Sequence, residues 1–206
     1  MDYTTLATPE SVQRTMEAVK GRGVNAELVE TKEAALERLR SFIPAGAALT
    51  MGTSTTLKQI GFEDLLKSGD HPWRNLKAEI VAEKDPAKQA ELRRQSTLAE
   101  YFLGSVHGIA ETGELVWASN TGSQLPAYAY SSSNVIWIAG TQKIIPTLED
   151  AIRRVREYCL PMEDQRIKSL DPSSGSFIGK MMIFEREVPF LRRNLTLILV
   201  NELIGV

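Results

Sequence analysis

The sequence predicts a single α/β domain built on a mixed sheet, parallel strands joined by a hairpin. Three observations carry this. Short apolar or β-branched runs alternate with stretches of helical periodicity along the chain, the mark of strand–helix–strand units. Ala47–Met51 and Val135–Ala139 are almost unbroken apolar runs, as strands covered on both faces require. IAETGELVW reads as two short strands about a Thr-Gly turn and adds an antiparallel pair. At 206 residues the chain is the size of one substantial core, and the domain is placed at 1–206.

Thr8-Pro9-Glu10 opens the first helix: a hydroxyl cap, proline at the first helical position, and an acid at the positive end of the dipole. Val12, Met16 and Val19 give its stripe, which stops near Gly21 and Gly23. NAELVE follows as a strand. Thr31 caps a second helix with Ala35, Leu36, Leu39 and Phe42 on one face, ended by Pro44 and Gly46. After the Ala47–Met51 strand comes Gly52-Thr53-Ser54-Thr55-Thr56 and a helical LKQIG. His71-Pro72-Trp73-Arg74 is an irregular link into a charged helix predicted from about Pro86 to Phe102, a candidate to cover the site or face a partner. Thr147 caps a helix whose stripe is Leu148, Ile152, Val155 and Cys159, while Lys180–Phe184 and Leu195–Val200 close the chain as strands.

Composition narrows the function. Hydrophobic residues make up 43% and charged residues 24%, and the net charge is −2 with the Lys and Arg residues dispersed. Such a surface offers no footprint for a phosphate backbone or an anionic membrane, so neither nucleic acid nor membrane is an expected partner. The lone Cys159 precludes an intrachain disulfide and reads as a core thiol in a reducing, cytoplasmic setting. The N-terminus lacks the basic start and apolar run of a signal peptide. His71 and His107 offer no metal spacing, and no cofactor is called for.

The candidate site lies in Gly104–Lys143 together with the Gly52–Thr56 loop. Strand, Gly/Ser/Thr loop and helix make an anion-binding plan, in which Gly52, Thr53, Ser54, Thr55 and Thr56 supply backbone and hydroxyl donors. Glu111 and Glu114 flank the hairpin turn, where like charges are unfavourable unless one is engaged, so Glu111 is a candidate acid, base or nucleophile. Asn120, Thr121, Gly122, Ser123 and Gln124 can fold into a nest of donors, with Tyr128 and Tyr130 nearby. Lys143, just past a buried strand, sits where α/β proteins place ligand contacts.

GSVHGIAETGELVWASNTGSQLPAYAYSSSNVIWIAGTQKI, with TMGTSTTLKQIG before it and LILVNELIG after, resembles the LUD (lactate-utilisation) domain family in its short stand-alone form. The likeness runs from about Thr8 to Val206. It implies a Rossmann-like, three-layer α/β fold similar to the glucosamine-phosphate isomerases, ribose-phosphate isomerases and CoA transferases, whose phosphate- or acyl-binding loop would fall on Gly52–Thr56. The AETG glutamate, Glu111, is similar in setting to the nucleophile of CoA transferases, although the residues around it do not reproduce their signature. The resemblance also implies a part in oxidising lactate to pyruvate beside an iron–sulfur partner subunit, since the cysteine-rich extension of some relatives is lacking.

Three readings follow. The first is a metabolic protein binding a small anionic metabolite, a carboxylate, phosphate or CoA ester, with Glu111 and Lys143 as catalytic groups. The second is a non-catalytic ligand sensor or assembly subunit, and the third an acyl or CoA transferase using Glu111. Self-association is open in all three.

Overall fold

The computed structural model describes residues 1–206 and contains two sheets. The first has six strands: β1 (Asn25–Val29), β2 (Ala48–Met51), β3 (Arg74–Asn75), β4 (Tyr101–Gly104), β7 (Asn134–Gly140) and β10 (Asn194–Val200), ordered β1-β10-β7-β4-β2-β3. Every pairing in it is parallel. The second has four, β5 (Gly108–Ala110), β6 (Leu115–Ser119), β8 (Ile144–Ile145) and β9 (Lys180–Phe184), ordered β8-β5-β6-β9. The antiparallel pairings, β5–β6 and β6–β9, lie in this second sheet. The hairpin therefore does not join the parallel sheet as expected; it builds a sheet of its own.

Side-chain alternation explains the layering. Along β7 and β10, Val135, Trp137, Ala139, Leu195, Leu197 and Leu199 point to one face, and Ile136, Ile138, Ile198 and Val200 to the other. The first set packs with Val12 and Val19 of α1 (Pro9–Gly21) and with Ile109, Leu115 and Trp117 of the second sheet. The second set packs with Ala35 and Leu39 of α2 (Lys32–Phe42), Leu57 of α3 (Thr55–Gln59) and Phe62 and Leu66 of α4 (Phe62–Ser68). Both faces are dry, so both strands read as continuous apolar runs. The result is a Rossmann-like three-layer α/β fold in which one outer layer combines a helix with a small sheet. A third cluster, Val116, Ile145, Ala151 and Val155 with Tyr3, seals the far side of that sheet against α7 (Leu148–Arg154).

The caps read from sequence form as expected. The Thr8, Thr31 and Thr147 hydroxyls accept from the N–H groups of Ser11, Ala34 and Asp150.

Three stretches differ. Trp73 is buried and its indole N–H donates to the Ile43 carbonyl at 3.0 Å, anchoring the link before β3 and α5 (Leu76–Ala82), elements the sequence reading did not resolve. The charged helix is α6 (Pro86–Gln95) and ends before Ser96; Tyr101 and Phe102, assigned to it from sequence, belong to β4 at the heart of the parallel sheet. α6 buries no side chain and lies outside the main cavity, so it is not a cover for it. Finally, the Thr147 helix runs through a π-helical turn at Val155–Cys159 into α8 (Leu160–Leu170).

Candidate functional site

Three neighbouring parallel strands, β2, β4 and β7, end side by side, and the chain leaves them through Gly52 after β2, Ser105 after β4 and, three residues on, Lys143 after β7. This is the sheet edge at which open α/β folds bind ligands. A cavity of about 390 Å³ lies there. Its walls are Gly52–Thr56, Gly104–His107, the end of β6 with Ser119–Thr121, Ser123 and Gln124, and residues of the π turn and α8.

Lys143 is 1% exposed, and its Nζ donates to Ser105 Oγ (3.1 Å), the Val106 carbonyl (3.1 Å) and Thr56 Oγ1 (3.3 Å). The three N–H groups thus meet three neutral oxygens and no carboxylate. Burial, with a smaller push from the Arg154 guanidinium, lowers its pKa to about 7. Thr56 Oγ1 in turn donates to Ser105 Oγ at 3.0 Å, closing a triangle of two hydroxyls and one amine. Gly205, at φ +69, lies against this triangle: a Cβ there would sit 2.7 Å from Nζ. Only glycine has the space and the backbone freedom for that place.

Behind the cavity Arg154 is fully buried, with Nη1 donating to the His107 carbonyl and to Cys159 Sγ (2.9 Å). Its Nε and Nη2 have no hydrogen-bond partner, and the guanidinium lies over the Tyr158 ring at 5.1 Å. Burial raises the Cys159 thiol against the pull of the two cations. His107 lines the cavity, and its Nδ1 accepts from the Ala118 N–H at 3.1 Å, which leaves Nε2 as the protonated nitrogen of the neutral ring. Burial and the charges of Lys143 and Arg154 lower its pKa to about 3. Tyr128 packs between Trp117, Trp137 and Phe102, and burial raises its phenol pKa, so the hydroxyl stays a donor.

A model of the LUD domain matches residues 12–181. The chain belongs to the LUD domain family. A crystal structure of a DUF162 family protein from Deinococcus radiodurans resembles this LUD domain with a TM-score of 0.57, over 95% of this chain and 99% of that one. At 11% identity that likeness concerns the fold alone. No curated protein matches this LUD chain. No helix is long and apolar enough to cross a membrane.

Of the residues singled out from sequence, Gly52, Thr53, Ser54, Thr55, Thr56, Asn120, Thr121, Ser123, Gln124 and Lys143 line the cavity of this LUD domain. The Asn120–Gln124 segment spends donors on itself. Gly122 N–H donates to Ser119 Oγ (2.9 Å), Ser123 N–H to Thr121 Oγ1 (3.3 Å), and Ser119 Oγ to Gln124 Oε1 (3.0 Å). Ser54 likewise caps Leu57 N–H.

Glu111 is not brought to the cavity. Its carboxylate accepts from Ser11 Oγ (2.6 Å) and Arg14 Nη2 (2.7 Å), contacts that lower its pKa, while Glu114 pairs with Arg22. The like-charge conflict at the turn is real, and arginines along and just past α1 resolve it. Ser105, His107 and Arg154 were missed. Ser105 carries no local pattern beyond its place after a strand, and that strand was itself read as helix.

Proposed function

We propose that this LUD protein binds a small anionic metabolite, a carboxylate or phosphate, in the cavity at the ends of β2, β4 and β7, as a component of lactate-to-pyruvate oxidation. One observation carries the ligand class: Lys143 and Arg154 are buried in or behind the cavity wall, and no carboxylate pairs with either. Buried cations are costly unless a counter-charge arrives, and a bound anion supplies it. The hydroxyls of Thr53, Ser54, Thr55 and Ser123 add neutral donors around that charge. Lactate and pyruvate are the metabolites the family association favours. With one cysteine in the chain, an iron–sulfur cluster would be held by a partner subunit.

The test is a thermal-shift screen of lactate, pyruvate, sugar phosphates, nucleotides and CoA esters. A ligand at a hundred times its Kd stabilises the fold by about 2.7 kcal/mol. That shift should appear for one anionic class and vanish in Lys143→Met. No shift from any anion up to millimolar concentration overturns the proposal.

A further inference from the structure

Lys143 and Ser105 are 38 residues apart in sequence and 3.1 Å apart in space, at the ends of two adjacent strands and on the wall of one cavity. A serine hydroxyl is a poor nucleophile until a base within hydrogen-bond reach takes its proton. A lysine serves as that base where it is desolvated, held by fixed acceptors and free of a carboxylate that would keep it charged. Lys143 meets each condition: it is 1% exposed, its other partners are Thr56 Oγ1 and the Val106 carbonyl, and no carboxylate touches it. Ser105 Oγ accepts from Lys143 and from the Thr56 hydroxyl and donates to the Val106 carbonyl at 3.3 Å, a long bond that it exchanges for one to Lys143 when the amine is neutral, while its own carbonyl is pinned by the Trp117 indole N–H at 2.8 Å.

We propose that Ser105 is a nucleophile and Lys143 its general base, and that the pair transfers the acyl group of a short ester or thioester to water through an acyl-serine. The proposal rests on reading the cavity as the ligand site but not on the ligand's charge. The Ser105 Oγ–carbon bond forms as neutral Lys143 takes the hydroxyl proton. The carbon–oxygen or carbon–sulfur bond to the leaving group breaks, and the Lys143 ammonium returns the proton to give an alcohol or thiol. Water then attacks the acyl-serine, its proton passing through Lys143 to Ser105 Oγ as that bond breaks. The product is a small carboxylate, the class of anion proposed to bind. Lys143 at about pH 7 is evenly divided between its base and acid forms, which suits both halves of the cycle. Tyr128, whose hydroxyl lies against Gly104, is the tyrosine on the cavity wall.

The experiment treats the intact protein with a fluorophosphonate and, separately, with p-nitrophenyl acetate, reading adducts by intact mass and peptide mapping. The expected result is one phosphonyl adduct on Ser105, a p-nitrophenol burst, and loss of both in Ser105→Ala. Lys143→Arg, which keeps the charge but cannot act as base, and Lys143→Met should slow labelling by about a hundredfold or more. In the wild type the labelling rate should rise about tenfold per pH unit up to a plateau near pH 7, a readout independent of whether either variant folds. A folded protein with no adduct on Ser105 between pH 6 and 9 overturns the proposal, as does a labelling rate flat across that range. Anion-induced thermal shifts measured on Ser105→Ala keep the two readings apart: shifts without acylation sink only the dyad, and acylation without shifts sinks only the anion site.

Discussion

The hydroxyl of Tyr128 occupies the space that a side chain on Gly104 would need. A Cβ at Gly104 would lie 2.8 Å from Tyr128 Cζ and closer still to Oη. The glycine ending β4 is thus the reason the phenol can reach the cavity wall beside Ser105. Gly104→Ala should cost about 1–3 kcal/mol by overpacking, measured by urea denaturation. Adding Tyr128→Phe should recover part of that loss, because it removes the nearest atom. Full additivity of the two changes would show that they do not meet.

Lys143 should make stability depend on alkali. Its folded pKa of about 7 lies below the 10.5 of the free side chain, so between those values the unfolded chain binds more protons than the folded one. Stability therefore rises with pH across pH 7 to 10.5, by up to about 1.4 kcal/mol per unit. Below pH 7 the full penalty of a buried ammonium is present. Lys143→Met should flatten the slope in denaturant melts at pH 7, 8 and 9.

His107 acts in the opposite range. The folded pKa of about 3 lies below the unfolded 6.5, so protons bind preferentially to the unfolded chain as pH falls through that window. Stability is lost by up to about 1.4 kcal/mol per unit from pH 6.5 downward. His107→Asn should be less acid-sensitive than the wild type. NMR titration of the imidazole should show no protonation above pH 5.

The two glutamates of the hairpin turn should behave differently from each other. Glu111 pairs with an Arg14 that is 60% exposed, whereas Arg22 and Glu114 are 20% and 12% exposed. Glu111→Gln should cost at most about 1 kcal/mol and leave anion binding unchanged. Glu114→Gln should cost more, because Arg22 also braces the Thr112 carbonyl and the Glu185 backbone. Loss of ligand binding in Glu111→Gln would restore Glu111 to the site.

Arg193 braces the turn that carries Tyr128. Its guanidinium donates to the carbonyls of Ala127, Tyr128, Ala129 and Ser132 and pairs with Glu187 at 2.9 Å, both side chains below 10% exposure. It thereby staples the π-helical turn Ala127–Ser131 that carries Tyr128. Glu187→Ala leaves that charge without its counter-ion and should destabilise by about 3–5 kcal/mol. Tryptophan fluorescence should shift with it, since Trp117 packs tilted and Trp137 edge-on against Tyr128, with ring centroids 5.3 and 5.7 Å apart.

Legibility in the sequence followed the range of the interaction. The Gly52–Thr56 loop was readable because strand, loop and cap are contiguous, and Lys143 because it follows an apolar strand that declares itself. β4 was not, since Tyr101–Gly104 is four residues long and abuts a helix with no proline or glycine between them. Misreading it hid Ser105. Glu111 was selected for a conflict visible locally, and Arg14, which relieves it, is 97 residues away in the chain. Lys143 and Thr56 are 87 residues apart, so their meeting depends on strand order, which no local pattern encodes.

Strand order has one further result. β10 comes last among the strands yet lies between β1 and β7, the first and next-to-last strands of its sheet in chain order. As the protein emerges during synthesis, β1 has no neighbour to pair with until residues 194–200 are made. The early strand and α1, which packs on it, must wait as exposed apolar surface while the rest of the sheet assembles. Folding of this chain is therefore completed from its far end, and the interval before β10 arrives is when a nascent chain would most need a chaperone.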